Sequence, residues 1–108
     1  MRGELVTAAA GAGYVGKPRP AVIVQADSFE TAASVIVCSL TTNPLEVHSM
    51  RVTIAPSSTN GLRSRSWAMI DKLSVVQRAK IGKHIGRLAS EDMVRLNRAL
   101  IAFLGLDR

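Results

Sequence analysis

Apolar side chains come in short, β-branched runs over most of this chain and change to a helical stripe only near the end. Leu5, Val6 and Thr7, within Glu4 to Ala9, predict a first strand, and Gly11, Gly13 and Gly16 make the loop after it glycine-rich. Ala21 to Val24 reads as a short buried strand entered through Pro18 and Pro20. Asp27-Ser28 supplies a turn, and residues 29–33 form one helical turn or a wide loop. Ser34 to Leu40 is the clearest strand, a β-branched run ending in hydroxyl residues. Residues 51–54 alternate polar and apolar like a half-exposed strand, and 56–61 make a loop with Asn60-Gly61 as its turn signal. Ser66 to Asp71 returns to strand, Lys72 to Val76 follows, and Ala79 to Leu88 continues with the basic series Arg78, Lys80, Lys83, His84 and Arg87.

The helical stretch opens at Ser90, the expected N-cap, with Glu91 and Asp92 in the first turn and Gly105 closing the far end. Met93, Leu96, Leu100, Phe103 and Leu104 recur at three- and four-residue spacing, which predicts one face laid over the core. Several short strands followed by one helix imply a mainly β fold with a C-terminal helix, a small, strongly bent antiparallel sheet or barrel with the helix packed on it.

Length makes this a single domain over residues 1–108, with 47% hydrophobic and 20% charged residues, a globular balance. No apolar run approaches the roughly 20 residues that cross a bilayer, and no secretory signal stands at the N-terminus, so the expected location is cytoplasmic. The lone cysteine, Cys38, sits in an apolar segment as a small buried hydrophobe, and two histidines with one thiol offer no metal-ligand cluster. Fourteen Lys and Arg against eight Asp and Glu leave a net charge of +6, which favours a polyanionic partner. Only 4% of the residues are aromatic, which argues against a module that stacks successive bases on an aromatic sheet.

Candidate chemistry begins at Lys17-Pro18-Arg19-Pro20, where each proline holds the residue before it in extended backbone. An arginine fixed at the mouth of a buried strand is placed to bind an anion; the alternative is a solvated loop arginine. Gly11 to Gly16 spells G-x-G-x-x-G, but two prolines follow instead of a long helix, which excludes a dinucleotide fold. The loop reads instead as a connection whose Tyr14 and Lys17 meet a ligand. Thr41-Thr42-Asn43-Pro44 ends the clearest strand, so Thr41 stands on a rigid support; the alternative is that Thr41 and Asn43 only make turn bonds.

Taken in order, Arg2-Gly3-Glu4, Lys17 to Val24, Leu40-Thr41-Thr42-Asn43, Ile70-Asp71, Ile85-Gly86-Arg87-Leu88 and Leu104-Gly105-Leu106 resemble the MazF/PemK family of type II toxin-antitoxin toxins over nearly the whole chain. The resemblance implies a homodimeric SH3-like barrel of the CcdB/PemK/MazF type. It also implies a sequence-specific endoribonuclease that cuts single-stranded RNA without metal or cofactor, and a cognate antitoxin whose acidic C-terminal segment occupies the RNA groove. The family's catalytic arginine matches Arg19 and its threonine matches Thr41, while no residue matches a general base. Substrate-binding candidates are Tyr14, Lys17, Thr42, Asn43, Arg63, Arg65, Asp71 and Lys72. The chain departs from many relatives in having neither His nor Glu in its first loop, and from some in having Met69 where they carry arginine. His48 and His84 read as surface or loop residues. A non-enzymatic gyrase poison like CcdB, or a decayed toxin that only binds its antitoxin, is the competing expectation, since a fold alone does not choose among them.

Overall fold

A computed structural model describes residues 1–8, 18–46, 50 and 52–108. Six strands, β1 (Glu4–Ala8), β2 (Arg19–Ile23), β3 (Ser34–Thr41), β4 (Val52–Ile54), β5 (Ser66–Gln77) and β6 (His84–Arg87), precede one helix, α1 (Ser90–Leu104). They form one sheet in the order β4-β5-β3-β2-β1-β6, every neighbouring pair antiparallel. Mainly β with a C-terminal helix is therefore the observed class.

Side-chain alternation divides the sheet into two apolar faces. Leu5, Val22, Cys38 and Leu40 face α1 and pack with its Leu96, Ala99 and Leu100, whereas Val6, Ala21, Ile23, Val35 and Val37 form a second cluster on the opposite face. Each large side chain so buried contributes about 1.5–3 kcal/mol.

The curled sheet brings the turn after β4 onto β6. Arg87 N–H donates to the Thr59 carbonyl at 3.0 Å, and a Cβ on Gly86 would lie 2.5 Å from the backbone of Thr59 and Asn60. Asn60 holds that turn from inside: its Oδ1 accepts from the N–H groups of Ser57 (3.0 Å) and Leu62 (2.9 Å), and its Nδ2 donates to Ala55 O (2.9 Å). Gly61 then turns with φ +70°, and a Cβ there would sit 2.5 Å from Ile85 O. The Asn60-Gly61 turn signal thus marks the clasp that brings the two edges of the sheet together.

Lys72 to Val76 follows Ser66 to Asp71 within β5, a 12-residue strand, and three other expectations are corrected. The register of β5 with β3 jumps from Cys38↔Leu73 to Leu40↔Ala68, so Met69 to Lys72 bulge opposite Ser39. Ala79 to Leu88 does not run as one strand: a 3-10 turn takes Arg78–Lys80, and only His84–Arg87 pairs, on β1. Ser90 is the first helical residue rather than the cap; the cap position falls to Ala89, extended at φ −65° and ψ 155°, which has no side-chain oxygen to donate to. Gly105 does close the helix at φ 72°, with its N–H on Ala102 O and the Leu106 N–H on Ile101 O. Finally, the apolar stripe is buried only through Leu100; Phe103 is 46% and Leu104 51% exposed, and Leu104 lines an open groove with Ile36 and Leu73 of the sheet.

Candidate active site

Arg19 is the first residue of β2, half-buried and paired with Ala8 of β1. Pro20 follows it without a donor, at a point where β3 has not yet begun to pair with β2. The β2–β3 register matches Ala21 with Ser39 and Val22 with Cys38. Carried two residues further, it sets Arg19 across from Thr41, the last residue of β3. Both residues share the alternation of Ala21, Ile23, Val35 and Val37, so they lie at the end of the sheet face turned away from α1.

Thr41 is 5% exposed, and its Oγ1 accepts the Asn43 N–H at 3.1 Å; Asn43 Oδ1 in turn accepts the Leu45 N–H at 3.1 Å. The turn bonds expected as an alternative role are real. They do not displace the other role, since Thr41 also lines a cavity of about 210 Å³ together with Arg19, Pro20, Leu40, Thr42 and Ser66. The Arg19 guanidinium with the Thr41 and Thr42 hydroxyls around a space of this size can serve an anion as donors. A second cavity of about 490 Å³ adjoins it, sharing Pro20, Thr42 and Ser66 and continuing past Thr7, Leu62, Arg63 and Ile85.

The structure thus gathers Arg19, Thr41 and Thr42 in one cavity, with Arg63 on the next. Asn43 is exposed and holds the turn below Thr41, and Arg65 is exposed and lines neither cavity. Asp71 and Lys72 belong to the β5 bulge and also line neither. Tyr14, Lys17 and His48 lie outside the described residues. Asp71 sits near Cys38, and its Oδ1 is buried without a hydrogen-bond partner among the described residues. Burial pushes the Cys38 thiol up to about 12; a Met69 backbone hydrogen bond pulls it down and the Asp71 charge pushes it further up. Cys38 is therefore a protonated core residue at neutral pH and no nucleophile. His84 is exposed, with Nε2 3.0 Å from Glu4 Oε2. Among the described residues no three of His, Cys, Asp and Glu gather as a metal-binding group, and no helix is long and apolar enough to cross a membrane.

Sequence reasoning missed Ser66, Leu62 and Ile85. Ser66 is buried and donates from Oγ to Ser64 O at 3.1 Å, yet in the sequence it is only a serine before an apolar run. Leu62 and Ile85 meet only through the clasp between the post-β4 turn and β6, which no local pattern announces.

Comparison with known proteins bears on the chain as a whole. A "Probable endoribonuclease MazF" of Mycolicibacterium smegmatis is 46% identical over 105 residues, which are 97% of this chain and 96% of that protein. Among solved structures, an endoribonuclease in complex with its cognate antitoxin from a mycobacterial species superposes with a TM-score of 0.76 at 22% identity, covering 98% of this chain and 95% of the other. Mycobacterium tuberculosis toxin MazF-mt6 follows with a TM-score of 0.72 at 21% identity, covering 94% of each chain. At those identities the superpositions speak for the fold. Membership is carried by the sequence: residues 1–104 match the family described as PemK-like, MazF-like toxin of type II toxin-antitoxin system, and the chain belongs to that family.

Proposed function

We propose that the chain is a sequence-specific endoribonuclease that cleaves single-stranded RNA in the cytoplasm without metal or cofactor. The observation that carries this reading is the placement of Arg19 and Thr41 on facing strand ends around one cavity. In the proposed reaction the RNA's 2′-oxygen bonds to the adjacent phosphorus and the P–O5′ bond breaks. The proton leaving the 2′-OH is balanced by one gained at the 5′ oxygen, so the ends are a 2′,3′-cyclic phosphate and a 5′-OH. Charge builds on the phosphorane oxygens during the attack. A guanidinium fork and hydroxyl donors held on strand ends stabilise that charge without reorganising, each donor contributing about 10²–10³ in rate. The +6 net charge supports a polyanionic substrate. RNA incubated with the protein in EDTA, with the new ends mapped, tests the reading; intact RNA, or a 5′-phosphate on the product, would defeat it.

Two partners belong to the same proposal. A homodimer is supported by the uncovered apolar end of the molecule, where Leu104 and Leu106 of the C-terminal end join Ile36 and Leu73 of the sheet around a groove of about 430 Å³. An antitoxin with an acidic, largely disordered segment is supported by the family and by the basic charge balance. Its segment competes with RNA for Arg19 and the residues around it.

A further inference from the structure

We propose that the cavity of about 490 Å³ beside the Arg19–Thr41 cavity is a base-recognition pocket, which receives one unstacked nucleobase next to the scissile phosphate and whose size is set by Leu62. The inference rests on the ribonuclease reading and deepens it. The two cavities share Pro20, Thr42 and Ser66, so a ribose whose phosphate sits at Arg19 has its base within one nucleotide of the second space. At about 490 Å³ that space is more than twice the first, and within the usual range of small-molecule sites.

Its walls suit a flat ring with a polar edge better than a phosphate. Pro20, Leu62 and Ile85 supply apolar surface, and Arg63 is the only cation among the described lining residues. The hydroxyls are directional. Thr7 Oγ1 already accepts the Lys83 N–H at 2.8 Å, so it offers a ligand its proton. Ser66 Oγ spends its proton on Ser64 O, so it offers lone pairs. One donor and one acceptor lining the same space complement the polar edges of a base, and single-stranded RNA is read through such splayed, unstacked bases.

The pocket is also preformed. The Leu62 N–H is held by Asn60 Oδ1 at 2.9 Å, and Gly61 stands so close to Ile85 that no Cβ fits between them. Leu62 is therefore presented by a turn pinned at both ends, which is what a size-selective wall needs.

Mapping of cut sites in a random single-stranded RNA pool, for the wild-type protein, Leu62→Ala and Leu62→Trp, reads the proposal directly. Base preference at one fixed position beside the cut is expected to change by about tenfold or more in opposite directions for the enlarged and the filled pocket. Equal slowing at every sequence, with preference unchanged, would overturn it and leave the ribonuclease reading standing. A second measurement needs neither cleavage nor a folded variant. Wild-type protein is titrated with a degenerate 2′-deoxy hexanucleotide while the Leu62 and Ile85 methyl resonances are followed by NMR. These methyls are expected to shift with the base-bearing oligomer and not with an abasic one; equal shifts, or none, would overturn the pocket. Should the wild type cut no RNA at all, the ribonuclease reading falls, and the methyl shifts alone decide the pocket.

Discussion

Arg19→Lys keeps a positive charge at the mouth of β2 but loses the planar fork, so cleavage is expected to fall by about 10²–10³ while the melting temperature stays put. Thr41 both lines the cavity and accepts the Asn43 N–H, and its variants test the two together. Thr41→Ala removes the cavity hydroxyl and also the acceptor of the Asn43 N–H, so it is expected to lower cleavage less than Arg19→Lys and to cost about 0.5–1.5 kcal/mol of stability. Thr41→Ser should restore both in a paired assay of rate and melting. Cys38 gives a control on the site's boundaries. With its thiol raised to about 12 by burial, it is expected to resist iodoacetamide in the folded protein at pH 8 and to label on denaturation. Rapid labelling of the native protein would mean that the β3–β5 bulge opens to solvent.

Among the elements, the clasp after β4 is the one whose loss should propagate. Asn60→Ala strips partners from the Ser57 and Leu62 N–H groups and from Ala55 O, and a loss of at least about 1–3 kcal/mol in denaturant unfolding is expected. Stability unchanged by that substitution would contradict the role given to the turn. This element also shows what was legible in advance. Asn60-Gly61 marks a turn wherever it occurs, because both residues favour the geometry locally. That the turn docks on β6 depends on Gly86 and on sheet curvature, which are long-range facts. The same division explains the misses elsewhere. Strands β2 and β3 follow from β-branched runs, and Arg19 and Thr41 fall at their ends, so the pair proposed here as catalytic could be picked out from local pattern together with the family resemblance. The β5 bulge is invisible to alternation, since it exists only in the register with β3. Ser90 was a plausible cap by type, but the chain enters the helix one residue earlier.

For the whole molecule, the arrangement separates two surfaces. Arg19 and Thr41 lie at strand ends on the sheet face opposite α1, whereas the uncovered apolar end, with Leu106 70% exposed, involves the α1 side. A dimer built on that end would leave the Arg19 cavity outside the apolar contact itself. Leu106→Glu is therefore expected to give a monomer in light scattering at micromolar concentration, and an unchanged dimer would place the interface elsewhere. The measurement closest to the centre of the account uses an RNA carrying a single 2′-deoxy nucleotide immediately 5′ of the mapped cut, compared with its all-ribose counterpart in EDTA. The all-ribose strand is expected to yield a 2′,3′-cyclic phosphate and a 5′-OH, and the substituted strand to bind with little loss and stay intact. Undiminished cleavage of the substituted strand would contradict attack by the 2′-OH, and with it the role assigned to Arg19.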